Sequence, residues 1–197
     1  MKKTDCRKIA LYGGSFDPVH NAHLGVATAA LTAGVDEVVF IPAANSPLKG
    51  KSPSASGSDR LQMLEIALGG QKGFSVDDFE LKKGGASYTI ETVSRYRERN
   101  PRCELYLIIG GDQFIQLGRW HRIDELLRDC VILVAARPDY ELVEPALAGL
   151  RWSQLGCSLS SVSSTALREL LSNKQATKGF LHPAVEAFIW EKELYIS

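Results

Sequence analysis

Short runs of aliphatic and β-branched residues recur along the chain, and segments with helical periodicity separate them. The runs predict buried strands at residues 8–12, 37–41, 74–76, 104–109 and 130–135, with a further short strand near 157–159. The periodic segments predict helices at residues 20–33, 58–68, 87–99, 123–128, 163–171 and 183–192. Residues 45–58 are rich in Ser, Pro, Gly and Lys, a composition typical of an exposed loop.

The beginning of the chain alternates strand, helix and strand. Such a βαβ unit pairs its strands in parallel through a right-handed crossover. Because the alternation continues, we expect an α/β fold: a Rossmann-like doubly wound parallel sheet, with a small C-terminal helical part over about residues 160–197. Ligands of such sheets bind outside the carboxyl ends of the strands, so informative residues are expected just after strands.

Composition narrows the class of protein. The 197 residues suit one domain spanning residues 1–197, and a hydrophobic share of 45% is ordinary for a globular chain. Lys plus Arg and Asp plus Glu both number 23, and this zero net charge argues against a nucleic-acid partner. No apolar run reaches the length of a membrane span, and residues 1–8 lack the apolar core of a signal peptide.

The cysteines are dispersed along the chain, at Cys6, Cys103, Cys130 and Cys157. They form no CxxC pair and have no His-rich tract beside them, so neither a disulfide framework nor a zinc site is expected. Dispersed reduced cysteines favour a cytoplasmic location.

Residues 13–23, with the sequence GGSFDPVHNAH, follow the first predicted strand. Two glycines at a strand end allow close approach of backbone or phosphate, and the next helix offers free N–H groups and a positive dipole end. His20 and His23 are three residues apart in the first turn, so both rings are expected to point at one anion. The segment is neither a P-loop nor GxGxxG. A glycine turn with two capping histidines is the simpler alternative.

Three other positions carry candidate chemistry. Residues 163–168 place three hydroxyl residues before a helix, and Arg168 adds a fork of donors; a plain N-cap with a surface arginine is the alternative. Asp112 follows a buried strand, where ligands of such sheets bind, or it caps a helix. Trp120 offers a flat aromatic face for stacking, or is a core aromatic.

Residues 13–23 resemble the GG[ST]FDPxHxGH signature of the HxGH-type nucleotidyltransferase superfamily, and within it the bacterial nicotinate-nucleotide adenylyltransferase family. The resemblance continues in order along nearly the whole chain. Its further segments are RLQML at 60–64, SYTIETV at 87–93, IIGGD at 108–112 with Leu117 and Trp120, Arg137-Pro138, VSSTALR at 162–168 and LHPAV at 181–185.

This resemblance implies a role for each matching position. The residues implied to bind ATP are Gly13, Gly14, Ser15, Phe16, His20, His23, Gly110, Asp112, Ser163, Ser164, Thr165 and Arg168. The residues implied to bind the mononucleotide are Lys49, Tyr88, Thr89, Trp120 and Arg137. His20, His23 and Arg168 would be catalytic, and Mg²⁺ would be held mainly by the ATP phosphates rather than by the protein.

The chain departs from the family pattern at three positions. Ala22 stands where HxGH has glycine. Residues 42–49 resemble a PNxxPPHK segment, in which Ala43 replaces the asparagine and Leu48 the histidine. Two polar groups near the expected acceptor phosphate are therefore missing, and Asn45 is a candidate replacement for one of them.

The implied reaction transfers AMP from ATP to nicotinate mononucleotide, giving deamido-NAD and pyrophosphate in NAD biosynthesis. The acceptor phosphate is already anionic at neutral pH, so no activated nucleophile or general base is needed. The open alternatives are nicotinamide mononucleotide, another phosphate acceptor such as phosphopantetheine, and a non-catalytic nucleotide-binding homologue. Trp120 and residues 163–168 argue against phosphopantetheine, and the oligomeric state stays open.

Overall fold

A computed structural model describes residues 6–45, 52–136, 142–156, 162–177 and 179–196. Its centre is a six-stranded sheet of order β3-β2-β1-β4-β5-β6. The strands are β1 (Lys8–Gly14), β2 (Glu37–Pro42), β3 (Phe74–Val76), β4 (Glu104–Gly110), β5 (Cys130–Ala135) and β6 (Trp152–Gln154). Every neighbouring pair is parallel, which confirms the predicted Rossmann-like doubly wound sheet.

Helices connect the strands and cover both faces of the sheet. They are α1 (Asn21–Thr32), α2 (Gly57–Leu68), α3 (Phe79–Lys83), α4 (Thr89–Arg99), α5 (Gly111–Ile115), α6 (Ile123–Asp129), α7 (Ser164–Ser172) and α8 (Pro183–Glu191). A 3-10 turn at Leu117–Arg119 leads from α5 to Trp120. Within the described residues, no helix is long and apolar enough to cross a membrane.

Side-chain alternation along the strands divides the core into two layers. In β1, Ala10 belongs to the layer shared with α1, α2, α7 and α8. Its neighbours Ile9 and Leu11 belong to the opposite layer, shared with α4, α5 and α6. Because successive side chains point to opposite faces and both faces are covered, the strands are apolar throughout, the pattern from which they were predicted.

The elements that the sequence pattern did not predict are short. The helices α3 and α5, the 3-10 turn and strand β6 are each three to five residues long, too short to show a period. The strand predicted near residues 157–159 lies outside the described residues, and β6 pairs with β5 just before it. Helix α2 starts one or two residues before its predicted cap, because the Ser56 hydroxyl accepts the N–H of Asp59.

The strand order reverses between β1 and β4, and this reversal locates the binding crevice. Both strands end in a glycine, Gly14 and Gly110, at the same edge of the sheet. Helix α1 leaves one strand end toward one core layer, and α5 leaves the other toward the opposite layer. The diverging chains leave a gap at the carboxyl ends of the central strands.

Candidate active site

A cleft of about 740 Å³ opens at this gap, within the size range of small-molecule sites. Its wall includes every residue that the sequence analysis expects to bind ATP, from Gly13 at one side to Arg168 at the other. Thr89 and Trp120 of the expected mononucleotide residues also line it. The structure therefore brings the predicted ATP residues together with two of the five predicted mononucleotide residues in one cavity.

The loop after β1 turns sharply around Phe16. A Cβ atom on Gly14 would lie 2.8 Å from the Phe16 ring, so only glycine leaves room for that ring. Phe16 has a φ of 46°, in the left-handed region that bulky residues rarely adopt. Contacts with the rings of Tyr12 and Phe40 hold it there. The buried ring thus fixes the path of the loop that leads to the histidines.

His20 is the N-cap of α1, and His23 lies in its first turn. Their rings stack with centroids 3.7 Å apart, which confirms that both lie on one face. The backbone N–H of His20 donates to Nδ1 of His23 over 3.2 Å. Because that nitrogen accepts, the neutral His23 ring carries its proton on Nε2, which makes Nε2–H a donor.

His20 is 5% exposed, and burial lowers its pKa from 6.5 to about 4. The ring is therefore neutral at physiological pH. Within the described part of the chain, its buried Nδ1 atom has no hydrogen-bond partner. Buried polar atoms are normally paired, so this atom on a cleft wall is suited to a ligand or an ordered water.

The start of α1 differs from the expected anion site in one respect. The N–H of Asn21, the first of the helix, donates to the carbonyl of Phe180 over 2.8 Å. The Asn21 side chain also donates to the carbonyl of Gly179, over 2.7 Å. The expectation of free N–H groups is therefore wrong for this donor, because the C-terminal segment occupies it.

Residues at the start of α7 form the opposite wall. The Ser163 hydroxyl accepts the N–H of Ala166 over 3.2 Å, so the N-cap alternative is correct for this residue. The Ser164 hydroxyl donates to the carbonyl of Pro18 over 3.0 Å. The Thr165 hydroxyl accepts from Arg168 over 3.3 Å. The Ser164 bond attaches α7 to the loop that precedes α1.

Arg168 spans the gap between the two walls. Its Nη1 donates to the carbonyl of Asp17 over 2.7 Å and lies 3.6 Å from the Asp17 Oδ2 atom. The Arg168 side chain is 28% exposed, so its guanidinium stays accessible at the cleft. A guanidinium has five N–H donors, and the two bonds made to Asp17 and Thr165 leave donors for an anion.

At the end of β4, Gly110 and Asp112 are in close contact. A Cβ atom on Gly110 would lie 2.6 Å from Oδ1 of Asp112, so glycine leaves space for this carboxylate. Gly110 itself is the N-cap of α5, and its N–H donates to Gln113. The alternative in which Asp112 serves as the helix N-cap is therefore wrong.

The expected mononucleotide residues are divided by the structure. Trp120 is half-buried against the α4–α6 layer, and within the described residues its Nε1 has no partner. The described cleft wall includes Thr89 but not Tyr88, whose ring is 37% exposed and lies 4.7 Å from that of His121. Lys49 and Arg137 lie outside the described residues.

Two of the three departures from the family pattern, Ala22 and Ala43, are part of the cleft wall. The Asn45 side chain accepts from the Ser52 hydroxyl over 3.2 Å, and its carbonyl accepts the N–H of Ser87 over 2.9 Å. Asn45 thus links Ser52 to Ser87, while Leu48 lies outside the described residues.

Arg60 is a structural residue whose role the sequence analysis missed. It is 2% exposed, and its Nη1 donates to the carbonyls of Ser15 and Ala43, over 2.7 and 2.9 Å. Burial lowers its pKa, and nearby Asp17 opposes this shift. The residue therefore joins the loop after β1 to the loop after β2. Its only sequence signal is the RLQML segment of the resemblance.

A buried carboxylate near the expected mononucleotide residues was also not predicted from the sequence. Glu80 is 8% exposed and accepts a 2.7 Å hydrogen bond from the hydroxyl of Thr92. Both residues line the cleft, as do Ser87 and Thr89, which lie between them in the sequence. Helix α3 is too short for its sequence pattern to identify Glu80 as buried. Thr92 lies among the buried residues of α4, where the pattern predicts only a core position.

Among the described residues, no group of three or more His, Cys, Asp or Glu side chains is arranged to hold a metal ion. The cleft carboxylates come from separate segments, and among the described residues the two stacked histidines have no third such group arranged with them for a metal. They offer single contacts to a ligand, and not a coordination shell.

A family model described as cytidylyltransferase-like matches residues 11–170. The matched segment runs from β1 into α7 and so contains both walls of the cleft. The chain belongs to the cytidylyltransferase-like family.

Several curated bacterial proteins are similar over almost their full length. A protein of Opitutus terrae is 38% identical, with 95% of this chain and 97% of that protein covered. One of Rhodopirellula baltica is 37% identical, covering 95% and 92%, and one of Pelobacter propionicus is 35% identical, covering 95% and 98%. All three are named as probable nicotinate-nucleotide adenylyltransferases. Within the wider family, the chain belongs to the nicotinate-nucleotide adenylyltransferases.

Solved structures share the fold at low identity. The Plasmodium falciparum nicotinic acid mononucleotide adenylyltransferase complexed with NaAD superposes with a TM-score of 0.79 at 20% identity, covering 96% of this chain and 97% of that one. A nicotinate-nucleotide adenylyltransferase structure from Vibrio parahaemolyticus gives 0.71 at 17% identity, covering 96% and 95%.

Proposed function

We propose that this protein transfers the adenylyl group of ATP to nicotinate mononucleotide, giving deamido-NAD and pyrophosphate in NAD biosynthesis. The observation that carries the proposal is the single cleft, which has His20, His23 and Arg168 on its wall together with Trp120 and Thr89. The names of the bacterial relatives, which match almost end to end, support the same acceptor.

In the proposed reaction, a phosphate oxygen of the mononucleotide attacks the α-phosphorus of ATP in line. The bond from that phosphorus to the bridging oxygen breaks, and pyrophosphate leaves with its electron pair. The nucleophile is anionic at neutral pH, so no proton need be removed from it. Catalysis then consists of positioning and of stabilising charge on the phosphates.

The His pair and Arg168 supply the donors on the two sides of the phosphates. His23 offers the Nε2–H set by its backbone hydrogen bond, and neutral His20 offers a ring whose Nδ1 has no partner among the described residues. Arg168 supplies the positive charge. The proposed ATP contacts are Gly13, Gly14, Ser15, Phe16, Gly110, Asp112, Ser163, Ser164 and Thr165, in addition to the three catalytic residues.

At the acceptor end, the Trp120 face would stack on the pyridine ring, and Thr89 at the start of α4 would contact its substituent. We extend the proposed acceptor site to Tyr88 at the cleft rim and to the cations Lys49 and Arg137, which the acceptor phosphate would attract.

We further propose Mg²⁺ as the divalent ion, carried mainly by the ATP phosphates, whose charge it would partly neutralise. The scattered carboxylates of the described cleft fit this arrangement, since they offer no ready coordination shell. We also propose that the chain acts as one domain in the cytoplasm, supported by the three free cysteines among the described residues and by the packing of α7 and α8 on the sheet.

Pyrophosphate release from ATP and Mg²⁺ tests this function, with nicotinate mononucleotide and nicotinamide mononucleotide compared side by side. We expect the higher kcat/KM with the nicotinate form. Preference for the amide would overturn the proposed acceptor but keep the reaction. No release with either acceptor, from protein that is folded by circular dichroism, would overturn the reaction itself.

A further inference from the structure

Asp17 is a buried carboxylate at the meeting point of four chain segments. The residue is 3% exposed and lies between the two phosphate-binding walls, on the cleft. Its Oδ2 accepts the N–H of Ser54 over 2.7 Å, and its Oδ1 accepts the N–H of Ala55 over 3.0 Å. Oδ1 also accepts a 2.7 Å bond from the hydroxyl of Tyr195, while Oδ2 faces Arg168 at 3.6 Å.

A negative charge at this place competes with the substrate. Both the Asp17 carboxylate and the proposed ATP phosphates attract the Arg168 guanidinium, and a low-dielectric cleft strengthens both attractions. The separation of 3.6 Å is longer than a closely hydrogen-bonded pair, which has an N to O distance of about 2.8 Å. The other groups that donate hydrogen bonds to the Asp17 carboxylate therefore determine how strongly this carboxylate attracts Arg168.

Tyr195 supplies one of those donors, from outside the motifs. It lies after α8, near the end of the chain, and its φ of 65° is in the left-handed region that a bulky residue rarely adopts. Such a conformation persists where surrounding contacts compensate for it. Burial and the adjacent Asp17 carboxylate raise the Tyr195 pKa, so the hydroxyl keeps its proton and donates.

We propose that Tyr195 is a positioning residue for adenylyl transfer, which acts through Asp17 on Arg168. Its hydroxyl satisfies Oδ1 and fixes the carboxylate on the backbone of Ser54 and Ala55, so that Arg168 stays available to the ATP phosphates. Without the hydroxyl, the carboxylate turns toward Arg168 and closes the pair. This inference rests on the proposed function, since it assumes that ATP binds in the cleft.

The test is Tyr195→Phe, which removes only the hydroxyl. The matched control is Tyr96→Phe, because the Tyr96 hydroxyl donates to Asp77 over 2.8 Å at a site outside the described cleft wall. The first measurement is equilibrium binding of the α,β-methylene analogue of ATP, with Mg²⁺, to each folded variant. We expect Tyr195→Phe to raise its Kd about tenfold, which corresponds to about 1.4 kcal/mol of binding free energy.

Tyr96→Phe should lower thermal stability without changing that Kd. In turnover assays, Tyr195→Phe should raise the KM for ATP by a similar factor and leave the KM for nicotinate mononucleotide nearly unchanged. Equal Kd values for Tyr195→Phe and the wild type would overturn the proposal. So would equal losses of affinity in the two tyrosine variants, which would indicate a general structural effect.

A double-mutant cycle with Arg168→Met separates action through Arg168 from other effects. If Tyr195 acts through Arg168, Tyr195→Phe should cause no further rise in the analogue Kd when Arg168→Met is already present. A further tenfold rise in that background would overturn the route through Arg168.

The analogue binding measurement does not depend on turnover. A wild type that binds the analogue but releases no pyrophosphate contradicts the proposed function, and the Kd comparison still decides the role of Tyr195. A wild type that does not bind the analogue contradicts the ATP site and this role together.

Discussion

The rings of His20 and His23 stack at 3.7 Å, with an angle of 24° between their planes. Two charged imidazolium rings at this distance would repel each other strongly, so the arrangement favours neutral rings. Burial keeps His20 neutral, and the backbone N–H bonded to Nδ1 of His23 directs the proton of that ring to Nε2. His23 therefore contributes an N–H donor in a fixed position, stacked on the neutral ring of His20.

Replacing His23 should remove this donor while the fold persists. We expect His23→Ala to lower kcat/KM for pyrophosphate release about 100-fold or more, the cost typical of losing one donor to transition-state charge. Steady-state kinetics check the rate, and circular dichroism checks the fold.

The matched control for that experiment is His182→Ala. His182 caps α8 through the N–H of Ala184, away from the described cleft wall. This variant should lose stability of about 1 kcal/mol, as N-cap replacements do, and keep its turnover. Near-normal turnover by a folded His23→Ala variant would contradict the catalytic role.

The lowered pKa of His20 should make stability depend on pH. The folded state holds the ring neutral down to about pH 4, whereas the unfolded ring takes up a proton near pH 6.5. Between these values the unfolded state binds more protons, so the free energy of unfolding falls as the pH is lowered from 6.5 to 4. The loss from this residue is about 3 kcal/mol.

Urea denaturation of the wild type and of His20→Gln across this range measures the effect. The glutamine has no comparable titration, so its stability curve should be flatter between pH 6.5 and 4. Curves of equal slope would show that His20 is not the group responsible.

Contact between Gly14 and Phe16 predicts different outcomes at two neighbouring glycines. A methyl on Gly14 meets the Phe16 ring at 2.8 Å, whereas a methyl on Gly13 meets no protein atom within 4 Å. We expect Gly14→Ala to lower the free energy of unfolding by about 1–3 kcal/mol, the usual cost of overpacking. Gly13→Ala should leave it nearly unchanged in the same denaturation experiment, and equal losses would argue against the contact.

Thr92 should stabilise the buried carboxylate of Glu80. Thr92→Val keeps the volume but removes the hydroxyl donor, and we expect a loss of about 2 kcal/mol, typical for a hydrogen bond to a charged group. Thr28→Val on the exposed face of α1 is the control, with a hydroxyl that donates to the carbonyl of Leu24 in the same helix. If both variants lose the same stability, the Glu80 bond makes no special contribution.

The sheet could be predicted from sequence because long apolar runs and their spacing determine it. The five apolar runs before residue 136 are strands β1 to β5, and each strand begins and ends within two residues of its predicted limits. The site walls could be predicted because glycines, histidines and hydroxyl residues follow strand ends in a recognisable order. The short elements α3, α5 and β6 were not predicted, since three to five residues carry little periodicity, although β3, of three residues, was.

The contacts between distant segments escaped prediction for a different reason. No separate role was predicted for Asp17 within the GGSFDPVHNAH motif, yet it joins residues from three other segments of the chain. Nothing local marks Tyr195 or Arg60 as its neighbours, because these pairings depend on tertiary structure. Tyr88 was assigned to the mononucleotide by resemblance alone, and its ring lies against His121.

Arg60 has a consequence for how the chain folds. Its guanidinium leaves water only when the carbonyls of Ser15 and Ala43 are both in place to receive it. If only one of these two loops had formed, a buried Arg60 guanidinium would have only one of these two carbonyl acceptors. The ends of β1 and β2 should therefore become ordered in a single cooperative step, with α2 docking at the same moment.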